Sequence, residues 1–262
     1  MRRNKEMFPT ITIVTITKGR PKLLRRAISS VKEQTYPNIR HYIVIDDCEE
    51  TLRMLQDNYV DDPGIYWQRF WRSRIDKDGP NILAKLRTNA IHSIDTEWFS
   101  FLDDDNEFYP EHIEKLYRFA QTKKCKAVHS FREVYNNDGS PYLGIEWPWG
   151  RTEEARAQEY KDMLKAGVAQ KGSNIFRDRY GVTVDTNVWL LKTELFDGIS
   201  IPQEYTRKDF EECHPEDEKM MNLLIEKRVM VLSNNETTVK YYLGGYSNNT
   251  QKATQGSVIW KP

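Results

Sequence analysis

Residues 99–106 read Phe99-Ser100-Phe101-Leu102-Asp103-Asp104-Asp105-Asn106, an apolar, strand-like run that ends in three consecutive carboxylates. Carboxylates this close repel one another and raise one another's pKa unless a cation lies between them. Hard divalent ions such as Mg²⁺ and Mn²⁺ prefer oxygen ligands and leave positions open for water and phosphate oxygens. The stretch therefore predicts a Mg²⁺ or Mn²⁺ site that receives a phosphorylated substrate. The alternative is an Asp-rich turn, because Asp and Asn also favour turns.

The first half of the chain alternates strand and helix patterns. β-branched and apolar runs predict strands at 11–16, 41–45, 65–70 and in the run before Asp103. Helical periodicity between them predicts helices from Leu23 to Gln34, at 49–58 and at 80–93. This alternation predicts βαβ units and a parallel sheet.

Ligands of parallel sheets bind outside the carboxyl ends of the strands. That rule puts three segments on one edge: Thr15 to Arg20, which includes Thr17, then Asp46-Asp47, and Asp103 to Asp105. Three separate polar signals therefore converge on one predicted site. For Asp46-Asp47 the alternative is that they cap the helix at 49–58, which Asp does well.

The second half has a different pattern. A helix is expected at 110–122, and the turn residues 137–140 predict a hairpin of 127–131 with 142–147. A strand is expected at 183–191, a helix at 215–228, and two short strands at 229–232 and 237–242. Trp147 and Trp149 would stack on a sugar or pack in the core, and Asp185 would touch a substrate or begin a strand.

Composition limits the function. The 262 residues contain 39 Lys plus Arg and 39 Asp plus Glu, a formal net charge of zero. This argues against a nucleic-acid partner held mainly by phosphate neutralisation. Three widely spaced cysteines without a zinc spacing are typical of a reducing cytoplasm. No apolar run approaches the ~20 residues that span a bilayer, although the basic start, Met1 to Lys5, would allow peripheral contact with an anionic membrane surface.

The common phosphate-binding loops are absent from the sequence. The loop after the first strand carries a single glycine, Gly19, where a dinucleotide-binding loop needs G-x-G-x-x-G. No P-loop pattern and no G-x-S-x-G hydrolase elbow occurs. A divalent metal on the Asp cluster is therefore the expected way to hold a phosphate.

The opening of the chain resembles family 2 glycosyltransferases, enzymes with the GT-A fold. The resemblance covers residues 1–110 and rests on these segments: Pro9 to Thr15, Arg20-Pro21, Ile28 to Val31, Gln34 to Pro37 and Ile43 to Asp47. Asp103-x-Asp105 lies where that family carries its DXD metal motif. His214-Pro215-Glu216-Asp217 resembles the family's Glu-Asp motif, which supplies the catalytic base.

The resemblance implies a role for each matched residue. Thr15, Thr17, Arg20, Asp46, Asp47, Arg87 and Asp104 would bind the nucleotide sugar, with Asp47 on the base and Asp104 toward the ribose or sugar. Asp105 would be the main metal ligand and Asp103 would support it, while His214 would be a third ligand or a surface histidine. Asp217 would be the general base with Glu216 beside it, although acidic residues at a helix start also interact with the helix dipole.

The expected fold is α/β: a GT-A domain over residues 1–262 with a Rossmann-like, mostly parallel sheet flanked by helices and a mixed acceptor-side half. Residues 8–107 would bind the nucleotide sugar, and residues 108–262 would bind the acceptor and hold the base. The implied activity is inverting transfer of one sugar, UDP-linked by default, to a glycan, lipid-linked or small-molecule hydroxyl. The alternatives are a sugar nucleotidyltransferase and a non-catalytic nucleotide-sugar-binding protein.

Overall fold

The structure, a computed structural model, describes residues 8–73, 79–149, 152–206 and 215–245. Within those ranges, six α-helices flank one sheet of nine strands. The helices are α1 (Pro21–Lys32), α2 (Glu49–Tyr59), α3 (Pro80–Ser93), α4 (His112–Lys123), α5 (Glu153–Lys165) and α6 (Glu216–Glu226). The strands are β1 (Ile11–Thr17), β2 (Ile39–Asp46), β3 (Ile65–Phe70), β4 (Trp98–Phe101), β5 (Glu107–Phe108), β6 (Ala127–Tyr135), β7 (Ile175–Phe176), β8 (Trp189–Lys192) and β9 (Val231–Tyr242).

The sheet is parallel on one side and mixed on the other. Its strand order is β3-β2-β1-β4-β8-β6-β9-β5, and β7 pairs with β6. Strands β3, β2, β1 and β4 run parallel, β8 runs antiparallel to β4 and β6, and β6 runs parallel to β9. The predicted α/β architecture with a mixed second half is confirmed.

The sequence explains the parallel side directly. Strand β1 is β-branched at every position, and its residues are buried on both faces except Ile16, which is half-buried. Such strands need helices on both faces of the sheet. Helix α1 begins at Pro21, which suits a first helical position, and it buries Leu24, Ala27, Ile28 and Val31. No helix in the described part of the chain is long and apolar enough to cross a membrane.

The carboxyl ends of three neighbouring strands meet at one edge. Thr17 at the end of β1 is paired with Ile45 of β2, and Val14 of β1 is paired with Phe101 at the end of β4. The fully buried Phe99 and Phe101 anchor β4 in the core, and burying a side chain of this size contributes about 1.5–3 kcal/mol. The polar segments that follow β1, β2 and β4 therefore lie side by side.

The predicted hairpin of 127–131 with 142–147 is wrong. The turn forms, because Asn136 N–H donates to the Ser140 carbonyl at 2.8 Å and Tyr142 N–H donates to the Val134 carbonyl at 2.9 Å. The segment 142–147 nevertheless forms no strand. A strand has two edges, and those of β6 are occupied by β9 along one side and by β8 and then β7 along the other.

Two further predictions in the second half need correction. The strand expected at 183–191 begins only at Trp189, because Asp185 accepts the Asn187 N–H at 2.9 Å and starts a short 3₁₀ turn at Thr186–Val188. The two short strands expected at 229–232 and 237–242 are the single strand β9, whose register against β6 shifts near Phe131.

Candidate active site

Arg87 joins two carboxylates that are far apart in the sequence. Its Nη2 donates to Asp103 Oδ1 at 2.9 Å, and its Nη1 donates to Glu216 Oε1. The Arg87 side chain is 5% exposed and lies on α3, between the end of β4 and the start of α6. Burial alone would lower the pKa of the guanidinium, but the carboxylates of Glu216, Asp103 and Asp217 outweigh burial and raise it. Arg87 is therefore a permanent cation that holds the Asp run and the Glu-Asp pair at one place.

Asp217 follows Glu216 in the first turn of α6. One of its oxygens, Oδ1, accepts the Glu218 N–H at 2.8 Å. Burial, then the charges of Glu216 and Asp185, raise its pKa well above the usual value, while Arg87 and Arg132 oppose this rise. A general base works best when its pKa lies near the working pH, so the environment of Asp217 suits proton abstraction.

Asp104 and Asp105 point toward the β1–α1 loop. Arg20, the residue before α1, donates to Asp105 Oδ2 at 2.7 Å and to both oxygens of Asp104, while Thr17 Oγ1 donates to Asp104 Oδ2 at 2.6 Å. Asp104 is fully buried. Burial and the neighbouring carboxylates raise the pKa of both carboxyls, and the charge of Arg20 opposes this rise.

Asp103 is held by a residue that the sequence reasoning missed. Asn187 is completely buried and contacts both the backbone and the side chain of Asp103. Asp185 holds Asn187 in turn and forms an ion pair with Arg132. No pattern in the sequence singles out Asn187 or Arg132, because both act through tertiary contacts.

At the end of β2, both predicted carboxylates have arginine partners. Asp46 accepts from Arg72 Nε at 2.6 Å, and Asp47 accepts from Arg69 Nη2 at 3.0 Å. Asp47 has a φ of 41°, a left-handed conformation that Asp tolerates better than most residues. Trp71 is 68% exposed and stacks on Arg69, whose guanidinium carbon lies 3.8 Å from the centre of the ring. This edge therefore presents an aromatic face next to a partly exposed carboxylate.

The structure does not bring every predicted residue to the open edge. Thr15 is fully buried, and its hydroxyl lies 2.8 Å from His41 Nε2 inside the sheet layer. Asp104 faces Arg20 and Thr17 rather than solvent. His214 lies outside the described residues, so its predicted role as a metal ligand stays a prediction.

The oxygen donors at the edge fit a hard divalent ion. Within the described ranges, no three His, Cys, Asp or Glu side chains converge into a ready-made metal cage. Asp103 is 31% exposed, and its two oxygens accept one bond each, from Arg87 and Asn187, which leaves lone pairs for a cation. Mg²⁺ sites often use one or two carboxylates completed by water and phosphate oxygens. Asp103 and Asp105 would hold such an ion, with the substrate supplying the remaining ligands.

Strand β9 brings the backbone close to the Asp run. Tyr242 N–H donates to Asn106 Oδ1 at 2.9 Å, and a Cβ at Gly245 would lie 2.6 Å from Asp105 Oδ2. A side chain at position 245 would collide with that carboxylate. Glycine at this position therefore lets the chain pass against the candidate metal ligand.

Curated proteins from several bacteria match part of this chain. WcaA of Escherichia coli K12, assigned as a colanic acid biosynthesis glycosyl transferase, is 32% identical over 132 residues, which is 50% of this chain and 43% of WcaA. The GalNAc(5)-diNAcBac-PP-undecaprenol beta-1,3-glucosyltransferase of Campylobacter jejuni is 27% identical over 175 residues, 65% of this chain and 52% of that protein. The chain thus spans about half the length of these curated relatives.

Solved structures share the fold at low sequence identity. The S. aureus TarS structure of residues 1–349 in complex with UDP superposes with a TM-score of 0.59 at 15% identity, over 89% of this chain and 60% of that one. The mannosyltransferase PcManGT from Pyrobaculum calidifontis, in complex with GDP-Man and Mn²⁺, superposes with a TM-score of 0.57 at 10% identity, over 95% of this chain and 61% of that one. These structures confirm the predicted GT-A fold.

The family match covers more than half of the sequence and includes the parallel strands and the Asp run. Residues 12–178 match the family described as Glycosyl transferase family 2. The chain belongs to glycosyltransferase family 2.

Proposed function

We propose that the protein is a metal-assisted, inverting glycosyltransferase that moves one sugar from a nucleoside diphosphate sugar to an acceptor hydroxyl. The observation that carries this proposal is the Arg87 bridge, which holds Asp103 of the Asp run beside Glu216 and Asp217 of α6. Sugar transfer needs a diphosphate site and a base next to each other, because the leaving group and the nucleophile share one carbon atom.

The donor's base would bind at the end of β2. Asp47 is partly exposed and accepts one bond from Arg69, so it retains lone pairs for an N–H of the base, such as that of uracil. Asp46 has a bidentate bond from Arg72 and would act by fixing the segment that carries Trp71. We name UDP as the first donor to test, and the complexes of TarS with UDP and PcManGT with GDP-Man make uridine and guanosine nucleotides the two candidates.

The diphosphate would bind at the ends of β1 and β4. A divalent ion held by Asp103 and Asp105 would stabilise, as a Lewis acid, the negative charge on the departing diphosphate. Arg20 is placed to orient Asp105 and add positive charge nearby. Thr17 and Asp104 lie behind Arg20 and would fix its guanidinium.

The acceptor hydroxyl would lose its proton to Asp217. A carboxylate base opposite the leaving group implies direct displacement with inversion at the anomeric carbon. Residues 8–107 would form the donor half and residues 108–262 the acceptor half of one catalytic domain. The proposed acceptor is a carbohydrate or a lipid-linked glycan, and the Campylobacter relative, a glucosyltransferase named for an undecaprenol-linked glycan, supports the lipid-linked alternative.

We also propose a reducing, cytoplasmic location. The described cysteines, Cys48 and Cys125, are free thiols, which supports this assignment. Contact with a membrane surface through residues 1–5 stays a prediction, because those residues lie outside the described ranges.

A thermal-shift screen of nucleotide sugars with Mn²⁺ tests the proposed donor class. A ligand at one hundred times its Kd stabilises the native state by about 2.7 kcal/mol, which corresponds to a rise in Tm of roughly 5–10 °C for a domain of this size. We expect a UDP- or GDP-sugar to give this shift with Mn²⁺ and a much smaller one with EDTA.

The same screen separates the proposed glycosyltransferase from the sugar nucleotidyltransferase alternative. A nucleotidyltransferase would be stabilised by nucleoside triphosphates and sugar 1-phosphates more strongly than by nucleotide sugars. The absence of a shift with every nucleotide sugar in the presence of Mn²⁺ would contradict the proposed donor site.

A further inference from the structure

Asn187 clamps Asp103 from two directions. Its Oδ1 accepts the Asp103 backbone N–H at 2.6 Å, and its Nδ2 donates to Asp103 Oδ2 at 3.0 Å. Asn187 is completely buried, so no water competes for these bonds. The orientation of Asp103 is therefore set by Asn187 on one side and by Arg87 on the other.

Asn187 is itself held in place. Asp185 Oδ1 accepts both the Asn187 Nδ2 group, at 2.7 Å, and the Asn187 backbone N–H, at 2.9 Å. The other oxygen of Asp185 is paired with Arg132 Nη1, and Arg132 Nη2 lies 3.3 Å from Asp178 Oδ1. Polar contacts thus run from β6 through the 3₁₀ turn to the Asp run.

Arg132 extends this network to the aromatic side of the molecule. Its guanidinium carbon lies 4.8 Å from the centre of the Trp149 ring and 5.2 Å from that of Tyr241. The Trp149 indole N–H donates to the Tyr241 hydroxyl at 3.1 Å. The network therefore connects the second half of the chain, where the acceptor is proposed to bind, to Asp103, one of the two proposed metal ligands.

The network is a costly way to stabilise a core. Arg132 is 3% exposed and Asp178 is 2% exposed. Among the described residues, Arg132 Nε and Asp178 Oδ2 have no hydrogen-bond partner. Well-packed apolar residues often replace such buried ion pairs without loss of stability. The polar network does, however, give Asp103 directional hydrogen bonds, which apolar side chains could not supply.

We propose that Asn187 and Arg132 are positioning residues: Asn187 fixes Asp103 for divalent-metal binding with the nucleoside diphosphate, and Arg132 fixes Asn187 through Asp185. This inference rests on the proposed function, since it takes Asp103 as a metal-site residue. In this proposal, neither Asn187 nor Arg132 contacts the donor; both act through Asp103.

The test measures Mn²⁺ affinity in the presence of saturating UDP, with free Mn²⁺ read by electron paramagnetic resonance. Changes to groups that orient metal ligands typically weaken metal affinity by about 10- to 100-fold. We expect Asn187→Ala to raise the Kd of Mn²⁺ within this range. We expect Arg132→Lys, which keeps the charge but loses the forked contacts, to raise it by a smaller factor.

Ser100→Ala is the matched control. Ser100 Oγ donates to the Trp189 carbonyl at 2.6 Å, so the change removes a buried hydrogen bond between β4 and β8 but no contact with Asp103. We expect Ser100→Ala to lower Tm by an amount similar to that of Asn187→Ala and to leave the Kd of Mn²⁺ unchanged.

The outcomes are distinct. An unchanged Kd in folded Asn187→Ala, or a change equal to that of Ser100→Ala, would overturn the positioning role. If Asn187→Ala does not fold, Arg132→Lys decides on the same criterion. If the wild-type protein binds no Mn²⁺ together with UDP or, in its place, with GDP, the proposed function fails first, and the positioning role of Asn187 fails with it.

Discussion

Replacing Asp217 by Asn is expected to lower the rate of sugar transfer by about 10²- to 10⁴-fold, the usual contribution of general acid–base catalysis. The side chains have nearly the same shape, so the start of α6 and the Asp217 Oδ1 bond to the Glu218 N–H are retained. The amide of Asn cannot take a proton from the acceptor, so the substitution is expected to lower kcat. Donor affinity, measured by titration of the nucleotide sugar with Mn²⁺, is expected to stay within about threefold, because Asp217 is proposed to act on the acceptor and not on the donor.

The pH profile gives a second signature of the same base. Only the ionised carboxylate accepts the proton, so the wild-type rate rises with pH as Asp217 loses its own proton. Burial and the charge of Glu216 raise the pKa of Asp217 well above its usual value. The acidic limb of the profile is therefore expected at higher pH than for an ordinary Asp, and it disappears in Asp217→Asn.

Glu226→Gln is the control for this substitution. Glu226 ends the same helix, and its side chain is exposed at the opposite end from the site. It should leave both the rate and the pH profile unchanged. Transfer at the wild-type rate by Asp217→Asn would show that the base lies elsewhere.

Replacing Arg87 by Met is expected to reduce the free energy of unfolding by about 3–5 kcal/mol, the usual result of removing one partner from a buried ion pair. Asp103 and Glu216 would then face each other and Asp217 without the cation that holds them together. Methionine fills much of the space of the arginine stem, so lost charge rather than a cavity dominates the effect. Urea unfolding followed by circular dichroism measures the change.

Two further variants make the Arg87 test specific. Arg118→Met removes an exposed arginine that pairs with Glu114 one helical turn away, and such pairs contribute about 0.3–0.5 kcal/mol. The double variant Arg87→Met with Glu216→Gln should recover part of the loss, since it removes one of the carboxylates left unpaired. A loss in Arg87→Met no larger than that in Arg118→Met would contradict the bridging role of Arg87.

The sequence predicts the fold of residues 8–107 well for a physical reason. Strand β1 and helix α1 are specified by local patterns, β-branched residues and a Pro21 start, that act within a few residues. The carboxyl ends of parallel strands lie at the same edge of a sheet, so the sequence alone predicts that Asp47 and Asp103 lie at that edge.

The second half of the chain is less predictable, because segments that are distant in the sequence compete to pair with the edges of β6. The turn at 137–140 is real, yet 142–147 forms no strand, because β9 and β8 flank β6 instead. Likewise, the strand expected at 183–191 begins only at Trp189, because the Asp185 side chain caps a 3₁₀ turn that carries Asn187.

The partners of the site carboxylates could not be read from the sequence. Nothing in the sequence around Arg20 indicates its bonds to Asp104 and Asp105, which follow β4. Ion pairs of this kind depend on side-chain directions across neighbouring strands. The separate roles of Asp103, Asp104 and Asp105 therefore stay proposals. Of these three residues, only Asp104 is fully buried.

Calorimetric titration of UDP and GDP into the wild-type protein, with Mn²⁺ and then with EDTA, tests the central claim most directly. The claim is that a nucleoside diphosphate and a divalent ion bind together at the edge of the sheet where the carboxyl ends of β1, β2 and β4 meet. We expect one of the two nucleotides to bind at one site with Mn²⁺, and to bind at least about tenfold more weakly with EDTA or in Asp105→Asn. Affinity that is the same with Mn²⁺ and EDTA, or no binding of either nucleotide, would contradict the claim.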